Sequence, residues 1–347
     1  MEEKIDLKSM NKEELTAYML SIGEQKFRAS QLYEWIHVRQ ARSFAEMTNL
    51  SKALREKLSA QAYLTCVEMA DVQISAIDGT RKYLFALEDG NMVESVLMKY
   101  KFGNSVCISS QVGCRMGCKF CASTLDGLER NLTPAEMLDQ IYAITLETGE
   151  RVSHVVIMGS GEPMDNYDNV VKFLGLLTDE NGLHISQRDV TVSTCGIVPK
   201  IKELAKLRLQ INLAISLHAP TDEKRKALMP IANSYTIKEL LDAVKEYFAI
   251  TGRRITFEYS LVRGKNDSAE EAKELIALLK GFPCHVNLIP VNPVEECGMR
   301  ETSRDGVVSF MQTLEKSGIH ATIRREMGRD IDGACGQLRR RHMKADS

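Results

Sequence analysis

The spacing of apolar and polar residues divides the chain into parts with different periods. Residues 1–65 show the helical period, and their pattern predicts helices over 11–22, 29–38 and 50–61. Asn11 and Ser51 stand at the start of the first and third stretches, where N-cap residues are expected. We therefore predict a small helical N-terminal domain over residues 1–65.

Residues 66–98 change to a period of two, which is typical of strands. Two alternating stretches, 81–87 and 92–98, flank the turn sequence EDGN and predict a β-hairpin that links the helical domain to the rest of the chain. Glu94 stands on the second of these strands. The alternation alone favours a side chain that faces solvent at this position.

From residue 99 to residue 325 the pattern becomes a regular alternation of strands and helices. Apolar runs predict strands over 105–110, 152–158, 189–194, 209–217, 254–261 and 284–289. Helical stretches lie between them at 133–148, 166–177, 198–207, 236–251 and 268–280. Six such units predict an α/β fold, an open partial (β/α)6 barrel with its helices outside. A strand-like piece at 320–324 leads into a glycine-rich, charged tail over 326–347.

Composition limits the function classes only broadly. Apolar residues make up 44% of the chain, charged residues 27%, and the net charge is −2, so any nucleic acid must bind to local basic patches. The sequence has no apolar run long enough to cross a membrane, and its polar start lacks a secretory signal. Nine cysteines without such a signal indicate a reducing, cytoplasmic location. The cations in residues 1–65 fit either a solvated face or an accessory RNA-contacting module.

Three closely spaced cysteines are the first residues that indicate a metal or cluster site. Cys114, Cys118 and Cys121 form a C-x3-C-x2-C motif directly after the first strand of the alternation. Three thiolates can hold a [4Fe–4S] cluster and leave one iron open, whereas a zinc site would need a fourth ligand such as Cys107 or a histidine. The motif resembles that of the radical S-adenosylmethionine (SAM) superfamily, which implies that SAM binds to the open iron.

Polar and small residues follow the later strands, at the edge where such folds bind ligands. The superfamily resemblance implies SAM contacts at these positions, although each residue could instead form a turn or a structural cap. The candidates are Gly161 and Glu162 in MGSGEP, Ser193 at the end of the third strand, Ser216, Leu217 and His218 at the end of the fourth, and Asn292 after the sixth.

A narrower resemblance covers nearly the whole chain. The stretches CISSQVGCRMGCKFCAS, MGSGEP, VSTCGIVPKI, LAISLHAP, LIPVNP and DIDGACGQL, in this order, resemble the Cfr/RlmN family of radical SAM RNA methyltransferases. The resemblance implies that Cys335 in the tail is the cysteine that becomes S-methylated. It also implies that Cys107 later forms a transient disulfide with Cys335, and that Glu94 accepts a proton.

The same resemblance implies substrates and partners. Family members use two SAM molecules per turnover and methylate an adenine in the peptidyl-transferase centre of 23S rRNA. One subgroup modifies carbon 2 and also acts on the adenine beside the anticodon of some tRNAs, and the other modifies carbon 8 and confers antibiotic resistance. Pro163 favours the first subgroup. A flavodoxin-like protein is the implied electron donor, and no membrane partner is expected.

Two hypotheses of other classes stay open at this point. A zinc-stabilised RNA-binding protein without catalysis would use the cysteine motif structurally. A radical SAM activase, which makes a glycyl radical on a partner protein, would use the cluster but has no role for Cys335 or Cys107. Arginines at 324, 325, 329 and 339–341 surround Cys335 in sequence and fit either phosphate contacts or a solvated basic tail.

Overall fold

The N-terminal part of the chain is a three-helix unit, as its helical spacing predicts. The computed structural model describes residues 4–290, 298–331 and 338–339. Asn11 and Ser51 cap the first and third helices, because each side chain accepts a hydrogen bond from the backbone N–H three residues later. The unit consists of α1 (Lys12–Ser21), α2 (Phe27–His37) and α3 (Lys52–Gln61), with the paired short strands β1 (Ile5–Asp6) and β2 (Ala62–Tyr63).

A buried ion pair connects the three-helix unit to the rest of the molecule. Lys8 precedes α1, and its Nζ lies 2.5 Å from Oδ1 of Asp139 on helix α4 (Pro134–Thr148). Each of the two side chains is only 1% exposed. The other oxygen of Asp139 accepts the backbone N–H of Val67 at 2.6 Å, so one carboxylate joins three segments of the chain.

Replacing Asp139 with alanine would leave the Lys8 ammonium buried without its carboxylate. We expect Asp139→Ala to lower the free energy of unfolding by about 3 kcal/mol or more, as the loss of one member of a buried ion pair does. Urea unfolding followed by the fluorescence of Trp35, the single tryptophan, measures the change. Asp242→Ala removes an exposed carboxylate paired with Lys238 and is the matched control. An equal decrease in the free energy of unfolding of both variants would contradict the stabilising role of the Lys8–Asp139 ion pair.

A three-stranded antiparallel meander follows the helical unit. Strands β4 (Arg81–Ala86) and β5 (Met92–Tyr100) form the predicted hairpin, in which Leu84 lies opposite Glu94. A strand that the sequence pattern does not indicate, β3 (Glu68–Ile74), pairs with β4 at the edge of the sheet. Its side chains are exposed or half-buried on both faces, so no buried face imposes the alternation that would reveal it.

The largest part of the chain is a parallel sheet whose strands lie in sequence order. The six predicted strand–helix units are confirmed, and the stretch at 320–324 forms a seventh parallel strand in the described part of the chain. The strands are β6 (Gly103–Ile108), β9 (Val152–Ile157), β10 (Val190–Thr194), β11 (Asn212–Ser216), β12 (Ile255–Leu261), β13 (Cys284–Pro290) and β14 (His320–Ile323). Because β5 pairs with β6, the meander and the parallel strands form one continuous sheet.

The helices between these strands cover the sheet, as the alternation predicts. Four of the predicted helices after α4 are α5 (Tyr167–Thr178), α6 (Val198–Lys206), α8 (Ile237–Thr251) and α9 (Ala269–Leu279). None of the helices in the described ranges is both long and apolar enough to cross a membrane.

Two further helices and a hairpin were not indicated by the sequence pattern. Helix α7 (Asp222–Leu228) has a run of charged residues and no apolar stripe, and α10 (Arg304–Lys316) has Gly306 in its first turn, an unfavourable helix residue. Strands β7 (Gln111–Gly113) and β8 (Leu128–Asn131) form a short antiparallel hairpin between β6 and α4. This hairpin carries the cysteine motif.

Candidate active site

A cavity of about 540 Å³ opens at the carboxyl ends of the parallel strands. Its wall draws on consecutive strands, and they contribute Cys107 from β6, Ile157 from β9, Ser193 from β10, Ser216 from β11 and Ser260 from β12. In parallel α/β folds this edge is where ligands bind. The cavity is therefore the candidate active site.

The three cysteines of the motif lie on the cavity wall, in the loop between β7 and β8. We call residues 114–127 the cysteine loop. Gly113 enters it with a φ of +73°, and a Cβ there would lie 2.0 Å from the carbonyl oxygen of Gly127, so only glycine fits. The same carbonyl accepts the Cys114 N–H at 2.8 Å and closes the base of the loop.

Burial and mutual proximity keep the thiols of Cys114 and Cys118 from ionising on their own. Burial raises the pKa of Cys114 to about 12, and the nearby Cys121 and Glu162 act in the same direction. Burial also raises the pKa of Cys118, with Cys121 and Cys114 as the next causes. Thiolates at these positions need a bound cationic group, and the donor set therefore fits an iron–sulfur cluster.

The described residues contain no group of three or more His, Cys, Asp and Glu side chains arranged to hold a metal ion. A four-iron cluster does not require such convergence, because each cysteine ligand binds a different iron atom. The thiols of Cys114, Cys118 and Cys121, which share one loop and one wall, remain the candidate donor set for a cluster.

The loop after β9 carries the Gly-Ser-Gly-Glu-Pro sequence and packs against the strand that leads to the cysteine loop. Gly161 has a φ of +108°, and a Cβ there would lie 2.6 Å from the Cβ of Gln111. The side-chain oxygen of Gln111 accepts the Glu162 N–H at 2.8 Å. Glycine at 161 is therefore required for this close approach.

Glu162 is buried on the cavity wall, and both of its carboxylate oxygens accept backbone hydrogen bonds. Oε2 accepts from Cys195 N–H at 2.7 Å, and Oε1 accepts from Met164 N–H at 3.0 Å. Burial raises the pKa of Glu162, and hydrogen bonds from Thr194 and Cys195 oppose that shift. The carboxylate thus joins the ends of β9 and β10 and shapes the wall beside the cysteine loop.

The remaining SAM-contact candidates fall into three groups. Ser193, Ser216 and His218 line the cavity, as the strand-end positions predict. The Leu217 side chain is fully buried in the apolar core instead. Asn292 lies outside the described residues.

His218 is held as an uncharged hydrogen-bond donor beside the cavity. Its Nδ1 accepts the Ser260 N–H at 2.9 Å, and the Phe120 ring packs edge-on against it with centroids 4.8 Å apart. Burial, and then the charge of Arg225, lowers the pKa of His218 to about 3. A neutral imidazole with Nδ1 accepting carries its proton on Nε2.

Two buried neutral histidines make the fold sensitive to acid. Burial lowers the pKa of both His37 and His218 to about 3. The unfolded chain then binds more protons than the folded one below pH about 6.5. We expect the free energy of unfolding to fall by about 1.4 kcal/mol per histidine for each unit of pH lost between about 6 and 5. Urea unfolding at several pH values measures this slope. His218→Gln is expected to reduce it, and an undiminished slope would contradict the assignment.

Cys107 and Glu94 lie on neighbouring strands, on the same face of the sheet. Cys107 pairs with Val96, which is two residues from Glu94, and alternate residues of a strand share a face. Glu94 is only 5% exposed, so the solvent-facing position favoured by the alternation is wrong. The carboxylate forms a buried ion pair with Lys82 at 3.0 Å. Cys107 lines the cavity.

The C-terminal segment is attached to the meander on both sides of Cys335. Before it, Oδ1 of Asp330 accepts the Ser75 hydroxyl at 2.5 Å. After it, the Arg339 N–H donates to Oε1 of Glu94 at 2.7 Å. Cys335 itself lies outside the described residues.

Sequence reasoning missed several residues of the cavity region. Glu258 on β12 lines the cavity, is 4% exposed and accepts from the Asn287 amide at 2.9 Å. Burial raises its pKa, and Arg324, also on the wall, opposes the shift. The sequence offers one indication of Glu258, because it is the only charged residue in this strand. Cys195, an isolated thiol in the sequence, lines the same cavity, and Arg225 is fully buried nearby.

Two family models match the chain. Residues 5–64 match the ribosomal RNA large subunit methyltransferase N-terminal domain, and residues 108–278 match the radical SAM superfamily. The first match covers the three-helix unit. The second covers the cysteine loop and the sheet from the end of β6 to α9.

Close relatives match over nearly their whole length. The probable dual-specificity RNA methyltransferase RlmN of Lachnospira eligens is 65% identical over 339 residues, which cover 98% of this chain and 97% of the relative. The protein of the same name from Lachnoclostridium phytofermentans is 59% identical, with 97% and 95% covered. A crystal structure of a radical SAM methyltransferase from Sphaerobacter thermophilus has a TM-score of 0.92 at 41% identity, covering 96% of this chain and 98% of that one. The chain belongs to the RlmN family of RNA methyltransferases within the radical SAM superfamily.

Proposed function

We propose that this enzyme methylates carbon 2 of a specific adenine in 23S rRNA and of the adenine beside the anticodon in some tRNAs. The relatives named as dual-specificity RNA methyltransferases support this activity. The structural observation that carries it is the hydrogen bond between Arg339 and Glu94. Cys335 is four residues before Arg339, and four residues span at most about 14 Å. In the proposal, Cys335 therefore acts beside Glu94 and, across the same face of the sheet, Cys107.

The family uses a [4Fe–4S] cluster and SAM, and we assign the cluster to Cys114, Cys118 and Cys121. Their three thiolates leave one iron open for SAM. When bound, the cluster and two SAM molecules per turnover supply the methyl group and the radical chemistry that an electron-poor ring carbon requires.

Around the cluster, the strand-end residues hold SAM. Gly161 lets the backbone approach a ligand closely, and Glu162 fixes the loop at that point. The Nε2 proton of His218 is available as a donor. Leu217 contributes by packing in the core beneath these residues. The further SAM contacts of the proposal are Ser193, Ser216 and Asn292.

Three protein groups then do the chemistry on the RNA. Cys335 accepts the methyl group on its sulfur and delivers that carbon to the adenine. Glu94 takes the proton that the ring carbon loses. The Cys107 thiolate attacks the sulfur of Cys335, so the bond from that sulfur to the RNA-bound carbon breaks, and that carbon takes the electron pair and a proton from solvent to become the methyl group. The unpaired electron that radical addition leaves on the adduct would return to the iron–sulfur cluster. A disulfide between Cys107 and Cys335 remains and must be reduced before the next turnover.

The proposed function also implies partners and a location. Residues 1–65 contact RNA in the proposal, which is supported by their match to a methyltransferase N-terminal domain. A flavodoxin-like protein supplies electrons to the cluster. The reducing cytoplasm, where rRNA and tRNA are found and free thiols persist, is the proposed location.

Mass spectrometry of the modified nucleoside tests the proposal. The purified enzyme, with reconstituted cluster, SAM and a reductant, is incubated with unmodified 23S rRNA fragments and with tRNA. We expect 2-methyladenosine in both, separated by chromatography from the carbon-8 isomer. The carbon-8 isomer alone would instead identify the resistance-type activity, and a colourless zinc protein without SAM cleavage would identify an RNA-binding protein.

A further inference from the structure

Arg225, on α7, is a fully buried cation with one unused donor. Its Nη2 donates to the carbonyls of Cys195 at 2.6 Å and Ser216 at 3.2 Å, and its Nε donates to that of Leu217 at 3.3 Å. Nη1 is buried and has no hydrogen-bond partner among the described residues. A buried guanidinium with neutral partners alone and an orphaned N–H is unfavourable unless an anion completes the site.

The helix that carries Arg225 packs directly against the cysteine loop. The Leu228 carbonyl accepts the Lys119 N–H at 2.9 Å, between two of the motif cysteines. A Cβ on Gly117 would lie 3.3 Å from the Pro230 ring, which follows the helix. Leu228 and Cys118 also belong to one small apolar cluster. The buried charge therefore lies next to the loop that holds the thiols.

Arg225 places its positive charge on the side of the cysteine loop where Cys118 lies, because Leu228, one helical turn after Arg225, packs in the same apolar cluster as Cys118. Burial lowers the pKa of Arg225, whereas Cys195, Cys118 and Asp222 oppose that shift. Asp222 is itself engaged, because its Oδ1 accepts the Ile237 N–H at 2.7 Å. Arg225 consequently has no carboxylate ion-pair partner in the part of the chain that the structure describes.

We propose that Arg225 is a positioning residue for the iron–sulfur cluster, whose fixed charge and unpaired Nη1 N–H stabilise the reduced cluster. The inference rests on the proposed ligation by Cys118 and its two companions. Net charge and hydrogen bonds to sulfur set cluster potentials, and a nearby cation favours the form that carries the extra electron. In this step one electron passes from the external donor to the cluster, and no bond forms or breaks.

A redox titration of the reconstituted protein, followed by electron paramagnetic resonance, tests this role. We expect Arg225→Gln to shift the midpoint potential downward by ~59 mV or more, which is a tenfold loss in the equilibrium constant of a one-electron reduction. Arg225→Lys keeps the charge and is expected to stay closer to the wild type. If Arg225 only holds the three carbonyls in place, Arg225→Gln would lower thermal stability and leave the midpoint potential unchanged. That outcome would overturn the proposal.

Iron content separates this inference from the proposed function. A wild-type protein that takes up no iron contradicts the cluster assignment, whereas full iron with equal potentials contradicts only the role of Arg225. Should Arg225→Gln fail to fold, Asp222→Asn decides the question with Arg225 intact. Removing the negative charge of Asp222 leaves the positive charge of Arg225 less compensated and is expected to raise the midpoint potential. An unchanged or lower midpoint potential would contradict the proposal.

Discussion

Cys335→Ala is expected to abolish RNA methylation while the protein keeps its iron and still cleaves SAM under a reductant. The thiol at 335 is the proposed carrier of the methyl carbon, and no other group replaces a covalent carrier. The proposed cluster ligands lie in a different segment of the chain, so radical generation is not expected to depend on this thiol. Methylated nucleoside, iron content and 5′-deoxyadenosine are measured on the same preparation.

The matched control is Cys284→Ala. Cys284 is a buried thiol of β13 that does not line the cavity, so its loss tests the general effect of removing a cysteine. We expect that variant to retain methylation. Normal product from Cys335→Ala would exclude the S-methylcysteine route, and loss of iron from that variant would show that Cys335 belongs to the cluster site.

Cys107→Ala is expected to trap a covalent protein–RNA adduct in place of free product. Without the second thiol, nothing attacks the sulfur of Cys335, and the bond between protein and RNA persists. Denaturing gel electrophoresis of labelled RNA detects the adduct, and nuclease digestion with mass spectrometry places it on Cys335.

The double variant Cys107→Ala/Cys335→Ala is the control for that experiment. Because it lacks the carrier, it is expected to form no adduct. Free methylated RNA from Cys107→Ala, at wild-type yield and without an adduct, would assign the release step to another group. An adduct in the double variant would show that the attachment point is not Cys335.

Much of the fold could be predicted because its signals are local. The strand–helix alternation and the capping residues Asn11 and Ser51 act within a few positions of the chain. The edge strand β3 and the charged helix α7 could not be predicted in this way. Neither has an apolar stripe of its own, and each is held by the segments against which it lies.

The same distinction between local and long-range signals applies to the candidate site. The crowding of Cys114, Cys118 and Cys121 is visible in sequence because the three cysteines share one loop. The burial of Glu94 is not, because it depends on Lys82 across the hairpin and on Arg339 far along the chain. Period-two alternation describes an isolated strand, and these partners change which face is solvated.

The ion pair between Lys8 and Asp139 connects the three-helix unit to α4, the first helix after the cysteine loop. This buried connection therefore fixes how far the three-helix unit lies from the cavity. If residues 1–65 hold the RNA, as proposed, that distance decides which adenine of a bound RNA reaches the cavity. In the proposed function, an rRNA and a tRNA of unrelated sequence would both be accepted when their folds place an adenine at this distance.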